Sequence, residues 1–346
     1  ATVALGTDKG ATVSAETIKL LSGSSLTAGD GGVSLTANAG GMGGDFSGIV
    51  ADGATVAASG TGGVTLDGTG GTGASDNGVF VRGSSVSTED GAISIAGSSQ
   101  DGAGNSSNGV SLIGSTVGQT GAAATGEIAI VGTAAGKTGS GGNYSNGVML
   151  HDTDVTALGT SNVRIEGTGG DSGLRNVGVF VKRGSMVTAV DGTVSVSGTG
   201  GDGTAGNHGV RFGEGGGTVT SGTGAVTITG NAGTGTGGSN SGVLMDLATV
   251  GNGAGATGDV TVTGVASSGS GGTSHLGVSL GRSTVSTADA NVVIDGQGGG
   301  SASGNAGVKM IGGASVTSGG DLTIDGTGSG TGSSNAGVTM TSTTLS

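Results

Sequence analysis

One phrase returns along this chain, and its return constrains the fold more than any other feature. Residues 78–99, GVFVRGSSVSTEDGAISIAGSS, hold three short apolar alternations separated by polar breaks, and residues 178–199, GVFVKRGSMVTAVDGTVSVSGT, repeat them almost unchanged. Degenerate copies fill most of the remaining sequence. The first apolar residue of each copy is Ile18, Ile49, Val79, Val110, Val148, Val179, Val210, Val243, Val278, Val308 and Val338, at intervals of 31, 30, 31, 38, 31, 31, 33, 35, 30 and 30 residues. A second alternation starts at residues such as Val56, Val86 and Val117, and a third at Val64, Ile93 and Ile128. The longest interval holds extra residues in GQTGAAATGE (118–127), a polar insertion between alternations that leaves the alternations intact, as in a folded repeat.

Each alternation has the period of two that marks a β-strand. In VTLD (64–67), Val64 and Leu66 face one way while Thr65 and Asp67 face the other. β-Branched residues flanked by glycine are also poor material for a helix. A unit of about 31 residues is therefore three strands and three turns, the third turn long and glycine-rich, as in GTGGTGASDN (68–77). A single unit cannot bury its inward valines, but stacked units, each strand pairing in parallel with its equivalent in the next, bury a continuous column. The expected fold is all-β: a parallel β-helix (β-solenoid) of about 11 coils, one repeat per coil. Its right-handedness is expected from the general preference of parallel crossovers. Residues 1–346 read as a single continuous repeat domain, and the absence of an opening Met together with the mid-repeat end suggests a fragment of a longer chain.

Composition agrees with that architecture. Glycine is 87 of 346 residues, a content that would suggest disorder but for the regular apolar spacing, and the turns need positive φ in every coil. Proline is absent, as expected where each strand donates to a neighbour on both sides. The formal net charge of −13, with only 11 Lys and Arg, argues against nucleic acid and against an anionic membrane surface. No run of 18 apolar residues is present, so no membrane insertion by a spanning helix is expected. The lack of cysteine excludes disulfides and thiolate metal sites.

Candidate functional residues are few. Asn77, Asn108, Asn146, Asn176, Asn207, Asn240, Asn305 and Asn335 stand just before the first strands, where they can form either a row of ligands or an internal ladder of amides that bond one another and the turn backbone. The ladder is the expected reading. Asp67, Glu166, Asp295 and Asp325 close third strands, and only Asp295 and Asp325 fall on adjacent coils; a solvated acidic face with no cofactor is the expected reading, and calcium held by that pair is the alternative. The three histidines, His151, His208 and His275, fall in turns of different coils and form no metal constellation. With no groove of clustered acids and bases, no catalysis is expected. The second strands present an outward Ser/Thr row that includes Thr55, Ser85, Thr116, Thr188 and Thr249, suited to templating ice or simply to solvation. The first strands present Phe80, Met149, Phe180 and Leu244 outward, either as a lateral contact surface or as a face covered by the long turn.

The stretch NAGVKMIGGASVTSGGDLTIDGTGSGTGSSNAGV (305–338) resembles the repeats of giant bacterial exoproteins of the filamentous-haemagglutinin type, and the resemblance extends over residues 12–346. It implies a secreted or cell-surface fibre built on a right-handed β-helix, adhering to host or neighbouring-cell surfaces or to itself. It transfers no catalytic residue. The expected function is a structural segment of such a fibre, acting as adhesin shaft, spacer or filament subunit that associates end to end or laterally. The alternative is a binding module for ice, glycan or calcium that uses the Ser/Thr face or the acidic turns.

Overall fold

Valine and isoleucine at every second position, with serine or threonine between them, suit a strand that is buried on one face only. That pattern is realised throughout the computed structural model, which describes residues 1–100, 105–135, 143–235, 237–267 and 272–346. Among the described residues all regular structure is β, in three wholly parallel sheets of 11, 12 and 11 strands. In one representative coil the first strand is Val79–Arg82, the second Ser85–Thr88 and the third Ile93–Ser98. Each strand pairs with its equivalents one repeat before and one repeat after. The protein is a parallel β-solenoid with three strands per coil.

The repeat anchors are register partners. Ile49 pairs with Val79, Val79 with Val110, Val110 with Val148, and the column continues to Val338. The insertion at 118–127 shifts none of these pairs: Val117 still pairs with Val155 and Ile128 with Val163. The sheets also extend past the recognisable repeats. Thr2–Ala4 pairs with Ser25–Ala28, Ala11–Ala15 with Val33–Ala37, and Ser315–Thr317 with Thr344–Leu345.

Inside the coil the alternating residues are fully buried; Val79, Val81, Val86, Ile93 and Ile95 are all 0% exposed. Each such side chain contributes about 1.5–3 kcal/mol when removed from water, against an ordering cost of about 1–2 kcal/mol per residue. The third strand is longer than its apolar alternation. Its fifth residue is an inward-facing glycine, and Gly68, Gly97, Gly132, Gly167 and Gly198 stack in register along the molecule. Opposite them stands a second glycine column immediately before the first strands, including Gly78, Gly109, Gly147 and Gly178. The two columns touch: a Cβ on Gly97 would lie 2.2 Å from the Gly109 carbonyl oxygen, and one on Gly109 would lie 2.2 Å from the Thr133 nitrogen. The ends of the long turn are thus pinched together by a glycine seam, and the turn projects from the coil as a side loop. These glycines are required by space, since none of them has positive φ. The expectation that glycine mainly supplies positive φ in turns is corrected for this seam.

Positive φ has its own columns. From Ile49 on, the residue four after each first-strand anchor turns the corner to the second strand in the left-handed region, whether it is Gly53, Gly83 or Gly114, or Asp152, Arg183, Glu214, Leu247 or Arg282. A second such column lies four before the anchor, at Ser75, Ser106, Tyr144, Arg175 and Ser239.

Candidate functional sites

The side loops place the eight asparagines at their bases, in two columns offset by one residue. Asn77, Asn108 and Asn146 stand two residues before their anchors; Asn176, Asn207, Asn240, Asn305 and Asn335 stand three before theirs. In the first column the side-chain oxygen points toward the following coil. The backbone N–H of Asn108 donates to Asn77 Oδ1 at 3.0 Å and that of Asn146 to Asn108 Oδ1 at 2.9 Å. The amides also bond each other, Asn108 Nδ2 to Asn77 Oδ1 at 3.1 Å and Asn146 Nδ2 to Asn108 Oδ1 at 3.0 Å.

In the second column the direction reverses. Asn176 N–H donates to Asn207 Oδ1 at 3.0 Å, Asn207 N–H to Asn240 Oδ1 at 2.9 Å, and Asn305 N–H to Asn335 Oδ1 at 3.0 Å. Between the coils of Asn146 and Asn176 both directions operate together: Ser145 N–H donates to Asn176 Oδ1 at 2.9 Å and Val177 N–H to Asn146 Oδ1 at 3.1 Å. The Nδ2 groups mostly turn back to their own loop, as in Asn240 to Gly237 O and Asn305 to Ala302 O, each at 2.9 Å. Each amide thus satisfies a backbone N–H that the departing loop would leave unpaired, where an orphan donor would cost about 1–3 kcal/mol.

Two of the histidines lie in these columns. His208 stands in the first, beside Asn207, and its Nδ1 accepts the Ser241 N–H at 3.2 Å in the geometry of an asparagine oxygen. Burial pushes this imidazole down to about 3, helped by the nearby positive charge of Arg211, so the ring is neutral. His275 stands in the second column, is buried, and is likewise pushed below its ordinary range by desolvation. His151 is the last residue of the strand Val148–His151 rather than a turn residue. Burial lowers it too, with Lys182 and Arg183 adding to the shift.

A hydroxyl ladder that the sequence reading did not single out lies at the first corner. Ser84 Oγ accepts the Ala54 N–H at 2.9 Å, Ser185 Oγ accepts the Thr153 N–H at 3.1 Å, and Ser283 Oγ accepts the Ala248 N–H at 3.0 Å. The signal available was a small residue directly after each corner residue, but serine is so common in this chain that the column does not stand out.

The outward faces differ from one another. On the second-strand sheet the Ser/Thr residues form two columns, interrupted by Asp154 and Met186 in one and by Ala57, Gly118 and Gly251 in the other. A trough of about 260 Å³ opens at Gly118, between Ser87 and Thr156, with Asp154 on its lining. On the third-strand sheet Asp295 and Asp325 are direct register partners and both are exposed. Asp67 sits between Thr36 and Ala96, and Glu166 is engaged by Arg164 at 2.7 Å. Among the described residues no three acid or histidine side chains gather as a metal would require.

On the first-strand sheet Phe80, Met149 and Leu244 are half-buried, while Phe180 is only 5% exposed. Its ring is covered by cations: the Arg211 guanidinium carbon lies 4.6 Å from the ring centroid and Lys182 Nζ 5.1 Å from it. Arg82 stands over Phe80 in the same way at 5.8 Å. The apolar row is therefore broken by charge rather than presented as a bare stripe.

Comparison with known protein families, with curated proteins and with solved structures finds no match to this chain.

Proposed function

We propose that this chain is a shaft: a structural segment of an extracellular or cell-surface fibre, with length and stiffness as its contribution. The observation that carries the reading is the constant register of three parallel sheets from Thr2 to Leu345, spanning insertions without a slipped pair. Eleven strands at about 4.8 Å give a rod roughly 50 Å long. The repeat grammar shared with filamentous-haemagglutinin-type exoproteins supports a bacterial, surface-displayed setting. The test is immunogold electron microscopy of cells that make the protein, with antibody raised against residues 1–346. Label along rods projecting from the cell supports the shaft; label confined to the cell interior overturns it.

A second reading, a binding module on the Ser/Thr face, draws on the two Ser/Thr columns and their trough at Gly118. Thermal hysteresis, or a calcium-dependent rise in melting temperature through Asp295 and Asp325, would favour it over the shaft.

A further inference from the structure

The protein carries 11 basic residues against 24 acidic ones, yet Arg175, Lys182, Arg183 and Arg211 fall within two successive coils on the first-strand side. Four of the described cations are neutralised where they stand. Arg82 pairs with Asp52 at 2.5 Å, Arg282 with Asp246 at 2.6 Å, Lys182 with Glu214 at 3.3 Å, and Arg164 with Glu166 at 2.7 Å.

Arg211 has no carboxylate within ion-pair distance among the described residues, and its Nε is buried without a hydrogen-bond partner. Its posture is built rather than free. One face of the guanidinium stacks on the Phe180 ring. The group also lies over Gly213, where a Cβ would come within 3.4 Å of Nε and 3.5 Å of Nη2. The register partner of Gly213 on the preceding strand is Lys182, and the residue at the same place after its anchor on the following strand is Asp246, so both neighbouring coils carry a side chain here. Beside the guanidinium a groove of about 320 Å³ opens, lined by Leu244 and Ile311 as apolar patches and by Ser279, Glu214 and Asp246 as polar groups.

A partly buried guanidinium held against Phe180, with no carboxylate paired to it among the described residues, is matched by a carboxylate, which a guanidinium can grip through two parallel hydrogen bonds. The groove volume is at the small end for ligand sites and fits about one ring. Apolar Leu244 and Ile311 offer a floor for the C–H face of a sugar. The carboxylates of Glu214 and Asp246, already held by Lys182 and Arg282, retain lone pairs that accept sugar hydroxyls. We propose that this groove is a binding site for a uronic-acid unit of an acidic polysaccharide, with Arg211 as the carboxylate-binding residue and Phe180 and Gly213 as its positioning residues.

The test is calorimetric titration of the full chain with an oligogalacturonate and with the neutral oligogalactan of equal length. The acidic oligomer binds and the neutral one does not. Arg211→Met keeps an unbranched side chain against Phe180 and lowers affinity roughly tenfold or more. Gly213→Val, whose γ-methyl groups extend past a Cβ already in contact with the guanidinium and crowd it without removing it, lowers affinity as well, and Arg82→Met on a distant coil leaves it unchanged. Melting curves of the variants establish that each is folded, and either groove variant alone suffices for the comparison. Equal binding of acidic and neutral oligomers, undiminished affinity in a folded groove variant, or sedimentation in which Arg211 serves only to hold two rods together would overturn the proposal. Because the binding is measured on isolated protein, its failure leaves the shaft reading standing, and misplaced immunogold label leaves this site standing.

Discussion

His208 occupies a position that asparagine fills in other coils, and the substitution puts a titrating ring where Asn77, Asn108 and Asn146 put a neutral amide. Its Nδ1 accepts the Ser241 N–H, a bond available only to the neutral ring, and burial holds its pKa near 3. In the unfolded chain the same imidazole titrates near 6.5. Between those two values the unfolded state binds a proton that the folded state refuses. Stability is therefore complete above about pH 6.5 and falls by up to about 1.4 kcal/mol per pH unit as the pH drops toward 3. His151 and His275 are lowered in the same direction and add to the slope, whereas the raised Asp76 works against it. His208→Asn should keep the acceptor and remove the largest share of this dependence. Melting temperature recorded from pH 7 to pH 4 checks it: the wild-type curve should fall more steeply than that of the variant, and parallel curves would refute the assignment.

Among the elements, the long side loop and its pinched base set the cross-section of each coil. Glycine serves there in two ways that one substitution series separates. Gly109→Ala puts a Cβ 2.2 Å from the Thr133 nitrogen and 2.7 Å from the Gly97 oxygen, both backbone atoms that cannot yield, and should cost about 3 kcal/mol or more. Gly83→Ala meets nothing within 4 Å and pays only for its φ of 54°, about 1 kcal/mol. Urea denaturation of the two variants should rank them in that order. Strand positions and register were legible in the sequence because Val79, Val110 and Val148 repeat a period-two pattern that only one face of a strand can use. The seam was not legible, because Gly97 and Gly109 look like any other turn glycine until two columns are brought face to face. The asparagines were legible as a row, but their division into two columns was not, because a one-residue offset between Asn146 and Asn176 reverses the hydrogen bonding without disturbing the strands. Nor could the sequence show that Phe180 is roofed by Arg211, since that residue stands one coil on as its register partner.

At the scale of the whole molecule, each coil touches only its neighbours, so stability is a sum of coil and interface terms and length can change by whole coils. Removing residues 79–109 joins Gly78 to Val110 and leaves Ile49 to pair with Val110 as it now pairs with Val79. Asn77 would then stand below Asn146 in the same column, offering its oxygen to an N–H that Asn108 now serves. The shortened protein should fold, melt within a few degrees of the parent, and be shorter by about 4.8 Å. Removing residues 79–92 instead would bring Ile93 to the first-strand position, set a third strand against first strands on both sides, and strip one coil of its corners. That chain should lose cooperative melting. Circular dichroism melts and small-angle X-ray scattering of the two deletions separate the cases. A well-folded 79–92 deletion, or an unfolded 79–109 deletion, would mean that the coils are not interchangeable and that stability depends on particular neighbours rather than on the repeat.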